Sequence, residues 1–449
     1  MKGTLLEGNI RRELISLAMP LLVGNVLQQL YNTVDSLIIG RYLGTQAFSA
    51  VGVAGTIMNL FIFVLTGFCT GISILLAQLY GSGDRSSFRR EVFISTSLGA
   101  AVTLLLSGIF LLLMRPVLHL INSPAELIPG IEAYLKVIIG GMLCSYLYNL
   151  TSGMLRAIGD TRAATFFLFI SVLVNAAADY LFVGLWHWGI AGAAWATVFS
   201  QLLAALCCVA YIFRRDRDLI CTRYDIGFER SLVKRTLSFG CASALHQSSL
   251  YIGKIFVQGA VNLLGTPGIA AYTATMRVEG FANSLGTSLG SALSVFVSQN
   301  HGAGKPRRER DGFNQGMGIS IAMGLVLSAL MFILARPSMV LFLDAGETHA
   351  IAQGVSYMRM ISIFYILCFT GNSFVGFFRG VGKMHVLLIG TTMHITIRAV
   401  LSHLMVEGMG LSAVALATGI GWVCMTVYQV ICLSRWRHEN QKIIDAIDA

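Results

Sequence analysis

Charge is what this sequence has least of. Only 12% of its 449 residues are Asp, Glu, Lys or Arg, against about 25% in an ordinary soluble domain. Hydrophobic residues make up 55%, and the mean hydropathy is +0.72. This balance excludes a soluble globular enzyme and predicts a polytopic membrane protein. The nine cysteines include no C-x-x-C pair and no zinc-ligand spacing. Most, such as Cys69, Cys144, Cys207 and Cys368, lie in apolar runs as small hydrophobes, so no disulfide framework or metal site is expected. H-E-x-x-H and G-x-S-x-G are absent. Gly302-Ala303-Gly304-Lys305 lacks the earlier glycine of a phosphate-binding loop and runs into Pro306. No nucleophile or metal constellation is recognisable at membrane depth, so the chain is read as not an enzyme, with no cofactor.

What is present is apolar length. Residues 92–114 carry no charge, and about 20 apolar residues suffice to span a bilayer. Residues 1–13 are polar, and the apolar run after them is too long for a signal-peptide core, which predicts an uncleaved first span. Twelve spans are expected, at 14–41, 46–79, 92–114, 128–155, 161–185, 189–213, 233–263, 267–299, 312–335, 351–378, 384–405 and 410–434. The net charge of +10 follows this topology rather than a nucleic-acid partner. Alternate loops hold 24 Lys and Arg, from Lys2 through the run at 214–235 to Lys442. The opposite loops hold only Arg41, Arg115 and Arg336. That asymmetry predicts cytoplasmic N- and C-termini.

The sequence repeats itself. Leu43-Gly44-Thr45 recurs as Leu264-Gly265-Thr266, Arg115-Pro116 as Arg336-Pro337, and Ala196-Thr197 as Ala417-Thr418, all at an offset of 221. The stretch 78–83 recurs at 299–304 with the same offset. Tyr134 matches Tyr357, and Arg156 to Gly159 match Arg379 to Gly382, at 223. Six spans per half make the two halves parallel repeats. The expected fold is all-α: twelve transmembrane helices in two pseudo-symmetric six-helix lobes forming a V-shaped cleft. The expected division is an N-terminal lobe at 1–213, a cytoplasmic linker at 214–232 and a C-terminal lobe at 233–449.

Of the 22 acids, only Asp35, Asp179 and Glu279 fall well within spans. A charged residue at membrane depth is costly and usually faces a cavity where it acts. Gln28, Tyr31 and Asp35 share one helical face, as do Asn175 and Asp179. Span 4 adds a stripe of Ser145, Asn149, Ser152 and Arg156. Two carboxyls in a low-dielectric pocket resist being charged together, so such a pair can take up and release a proton. Asn and Tyr neighbours can hold it in both states, or help ligate a small cation. The bland alternative is a pair of structural carboxyls. Glu279, Lys254 and Arg398, with His246 and His394 close in sequence, form either a charge-compensated network or a second polar site facing the cleft. The network is the favoured reading.

The motifs NTVDSLIIGRYLG in span 1, GMLRAIGDTR after span 4, VNAAAD in span 5 and SQNHGAGK after span 8 resemble the multidrug and toxic compound extrusion (MATE) family, over essentially the whole chain. The resemblance implies a secondary efflux antiporter of the bacterial cytoplasmic membrane. It would export organic, often cationic or amphipathic compounds in exchange for protons or sodium ions by alternating access. It implies an ion site in the N-terminal lobe at Asp35, Asp179 and Asn175, with Tyr31, Tyr134 and Asn149 around it. Gln28, Glu279, Lys254, Arg398, His246 and Asn372 are the expected cleft residues. Span 7 offers His246 and Lys254, and span 10 offers Asn372, where another branch of the family has acids for a sodium site. Expected partners are small organic substrates and membrane lipid, with no nucleic acid, and the chain is expected to be a monomer. The alternative is a flippase for a lipid-linked oligosaccharide or cell-wall precursor, favoured by Lys254, Arg277 and Arg398 as phosphate-binding cations.

Overall fold

The computed structural model describes residues 5–120, 125–344 and 346–448. Lys2 and the side chain of Lys442, both used above for topology, lie outside the described residues. The chain runs as α1 (Ile10–Gly81), α2 (Arg85–Leu120), α3 (Ile128–Gly140), α4 (Met142–Ala157), α5 (Thr161–Asp179) and α6 (Gly189–Arg215). Then follow α7 (Arg230–Asn262), α8 (Gly265–Gly302), α9 (Pro306–Ile333), α10 (Ala335–Phe342), α11 (Thr348–Gly380), α12 (Met384–Met409) and α13 (Leu411–Asp448).

Nine helices among the described residues are long and apolar enough to cross a membrane, or ten if α3 and α4 form one span. Those two are bent by 46° around Gly141, so the expected fourth span is a broken one. Helices α7 and α8 have 33 and 38 residues, long enough to span at about 1.5 Å per residue. They are less apolar than the other spans because they carry Lys254, Arg277, Glu279 and many hydroxyls. Helix α1 holds the first two spans, with a break at Gly44, where φ is +78°. The short α10 follows α9 and was not anticipated from the sequence.

Backbone geometry repeats with the sequence. Among the described residues nine glycines adopt positive φ, and eight of them pair at the repeat offsets: Gly44 with Gly265, Gly83 with Gly304, Gly159 with Gly382, and Gly189 with Gly410. A side chain disfavours this conformation, so the turns between spans are fixed at equivalent places in both halves.

The chain forms two compact units. One comprises residues 1–22 and 245–449, the other residues 23–244. The division falls inside α1 and inside α7, rather than in the loop at 214–232. Thus the 23–244 unit includes the start of α7, and the other unit includes the start of α1. In the 23–244 unit this exchange rests on glycine. A Cβ on Gly67 would lie 2.7 Å from Ala244 Cα, and one on Gly71 would meet the Phe239 carbonyl. The backbones of α1 and α7 touch there, as small residues allow in membrane helices. The core of this unit includes Ile39, Leu75, Phe88 and Tyr146. The core of the other includes Tyr357, Met358, Ile361 and Phe369.

Polar groups organise the ends of the helices. Asp160 caps α5 by accepting from Ala163 N at 3.1 Å, and also accepts from Tyr211 and Arg215 of α6. The linker after α6 is held to α2: Arg89 donates to Asp225 at 2.7 Å and to the Asp218 carbonyl at 3.1 Å. In the other unit, Arg308 donates to the carbonyls of Leu5, Glu7 and Gly8 and to the Glu13 carboxylate.

Candidate functional site

The 23–244 unit brings Asp35 and Asp179 together. Asp179 is fully buried and is the last residue of α5 before a π-helical stretch, Tyr180–Leu185. Such widened turns often accompany functional positions. The Asp35 and Asp179 carboxyls lie within hydrogen-bonding reach of each other. Both Asp179 oxygens and Asp35 Oδ1 lack a protein donor among the described residues. A hydrogen bond between the two carboxyls needs a proton on one of them.

Phenols surround the pair. Tyr31 lies close to both carboxyls, and its hydroxyl bonds Thr197 Oγ1 of α6 at 3.0 Å. Tyr134 of α3 is 3% exposed, lies near Asp35, Tyr31 and Asp179, and directs its hydroxyl to Met58 Sδ at 3.8 Å. Asn175, one turn before Asp179, is buried, and its Nδ2 has no partner among the described residues. Asn149 donates through Nδ2 to the Ser145 carbonyl of its own helix at 2.8 Å, while Ser145 bonds Gln201. Gln28 is exposed.

The other unit holds a second cluster. Glu279 lies near Arg398 and Lys254. No ion pair within 4 Å joins the three among the described residues. Arg398 donates to Tyr272 Oη at 3.3 Å, and its Nε is unpartnered. Tyr357 lies against Glu279, but Tyr357 Oη and Glu279 Oε1 close no hydrogen bond. Tyr365 donates to the Glu279 carbonyl at 3.2 Å. His246 stands apart, with Arg379 as its charged neighbour. Asn372 donates to the Cys368 carbonyl at 2.9 Å, as Asn149 does to Ser145.

The repeat relates the two clusters. Tyr134 corresponds to Tyr357, Asn149 to Asn372 and Asn175 to Arg398 at 223, and Met58 to Glu279 at 221. The tyrosine that meets a thioether in one half meets a carboxyl in the other. Thr197, Met58, Tyr272 and Tyr365 escaped the sequence reading. Thr197 lies in the repeated Ala-Thr pair and was findable there. Met58 and the two tyrosines carry no signal beyond ordinary core composition.

A family model described as MatE matches the chain twice, at residues 20–181 and 242–404. Probable multidrug resistance protein YpnP of Bacillus subtilis is 27% identical over 388 residues, 85% of each chain. Probable multidrug resistance protein NorM of Thermotoga maritima is 24% identical over 383 residues, 83% of this chain and 81% of its own. A crystal structure described as MATE in the bent conformation superposes with a TM-score of 0.90 over 98% of each chain, at 22% identity. That likeness gives the twelve-helix, two-lobe fold. These relatives do not favour the flippase alternative. The paired family matches fall one on each half of the repeat, and the chain belongs to the MatE family of membrane transporters, which are not enzymes.

Proposed function

We propose that this chain is a proton-coupled antiporter of the bacterial cytoplasmic membrane, exporting organic cationic or amphipathic compounds. The observation that carries the reading is the Asp35–Asp179 pair, two carboxyls within reach of each other, with no donor to either Asp179 oxygen or to Asp35 Oδ1 among the described residues. One shared proton makes this arrangement stable. Without it, two anions face each other in an apolar setting. The deprotonated pair favours the state that binds substrate from the cytoplasm. Protonation from outside removes the charge, repacks α1 around Pro20 and weakens the hold on the substrate. Pro20 lies inside α1, where proline removes a helical hydrogen bond and permits a bend. Each charge crossing 100 mV of membrane potential is worth roughly 2.3 kcal/mol, so inward proton movement can drive export.

The names of the relatives, multidrug resistance proteins, support the substrate class. The 24-to-3 asymmetry of Lys and Arg supports cytoplasmic termini. The transporter works as a monomer, since each half supplies one lobe. The test is export of a fluorescent organic cation by everted vesicles under an imposed pH gradient. Asp35→Asn and Asp179→Asn should each bring export down to that of vesicles lacking the protein. Undiminished export by either variant, or export driven by sodium alone, would overturn the reading.

A further inference from the structure

The two halves treat one pair of cations differently. In the first half, Arg115 of α2 donates to Glu132 Oε1 at 2.7 Å, and Lys136 of α3 donates to Glu132 Oε2 at 2.9 Å. One carboxylate thus bridges cations from two helices. The repeat carries Arg115 to Arg336 at 221 and Lys136 to Arg359 at 223. It carries Glu132 to Val355. Both cations persist in the second half, and the acid does not. Among the described residues, neither Arg336 nor Arg359 has a carboxylate within 4 Å. Arg359 instead lays its guanidinium over the Phe332 ring, 5.5 Å from its centre.

The position of the missing acid is part of a groove of about 750 Å³ within the 245–449 unit. Arg336 and Arg359 line it, together with Val355, Met360, Phe332 and Ile363. Val355, Arg359 and Ile363 recur every four residues, so they share one face of α11. Ile363 is 65% exposed and Phe332 48%. Exposed apolar side chains of this kind on membrane-spanning helices offer acyl chains a surface to lie along. Both arginines are exposed and neither has a carboxylate partner among the described residues, so the groove presents two open guanidinium groups to an anion. Guanidinium groups match phosphate bidentately. A free anion would satisfy the arginines and gain nothing from Ile363 and Phe332, whereas a lipid satisfies both.

We propose that this groove binds an anionic phospholipid, with its phosphate between Arg336 and Arg359 and its acyl chains along Phe332 and Ile363. The phosphate takes the place that the Glu132 carboxylate fills in the first half. Phosphatidylglycerol fits, since its headgroup carries no ammonium to cancel the phosphate. The site is separate from the carboxyl pair and does not depend on the coupling ion.

The test is native mass spectrometry of the full-length protein titrated with phosphatidylglycerol or phosphatidylcholine, with thermal melting of each variant to confirm folding. The wild type should retain phosphatidylglycerol in preference to phosphatidylcholine. Arg336→Gln and Arg359→Gln should each weaken that binding about tenfold, the scale of one charge-assisted hydrogen bond. Val355→Glu, which restores the carboxylate of the first half, should weaken it as much while keeping the fold. Arg115→Gln should leave it unchanged. Wild-type affinity in Val355→Glu and Arg359→Gln would overturn the proposal. So would displacement of the lipid by millimolar inorganic phosphate, which would identify a free-anion site instead.

Discussion

An aspartate buried among apolar residues keeps its charge only where donors surround it. Asp179 has none among the described residues, and its neighbour in reach is another acid, Asp35. Tyr31, the phenol close to both, is tied to Thr197 at 3.0 Å. Tyr31→Phe removes that tie and one polar neighbour while leaving both carboxyls. It should reduce gradient-driven export about two- to tenfold, the worth of one hydrogen bond, and a vesicle export assay reads this directly. Thr197→Val should give a similar loss if Tyr31 acts through its position. Asp35, Tyr31, Asn175 and Asp179 were legible in the sequence, because polar residues spaced by three or four within apolar spans share a face. Asn149 shows the limit of that reasoning. Its spacing puts it on a polar stripe, but does not reveal that its Nδ2 donates to the Ser145 carbonyl one turn back.

At the scale of elements, packing is set by where backbones touch. Gly71→Ala places a Cβ against the Phe239 carbonyl and should cost about 1–3 kcal/mol by overpacking. Gly52→Ala, with nothing within 4 Å of its Cβ, should change the melting temperature little. The linker gives a pH-dependent counterpart. The Arg89 hydrogen bond, aided by Thr222, holds the Asp225 carboxyl down to about 2. A carboxylate lowered in the folded state stabilises above its unfolded pKa of about 3.9, and that stabilisation is lost as pH falls towards 2. Asp225→Asn should therefore melt below the wild type at neutral pH, with the gap closing between about pH 4 and pH 2. The order of the long helices was legible from their apolar runs and the repeat. The bend at Gly141 and the short α10 were not. The first depends on how α3 and α4 pack, and the second on only eight residues, Ala335–Phe342, whose Arg336-Pro337 reads in the sequence as the loop after a span.

For the molecule as a whole, the repeat is the informative feature. Its offsets govern sequence motifs, glycine turns and the two polar clusters alike. They expose what each half has altered: Asp35 against Phe256, Met58 against Glu279, Glu132 against Val355. The exchange of helix starts at Leu22 and Ala244 was invisible in the sequence. It is decided by contacts distant along the chain, such as Gly67 with Ala244. The central claim is that substrate and proton compete through the carboxyl pair of the 23–244 unit. It is tested most directly by adding tetraphenylphosphonium, an organic cation, to purified protein in weakly buffered detergent solution and recording proton release with a pH indicator. The wild type should release about one proton per molecule bound, the count for a pair that shares one, and Asp35→Asn and Asp179→Asn should release none. Equal release from those variants, or sodium release with no protons from the wild type, would contradict the account.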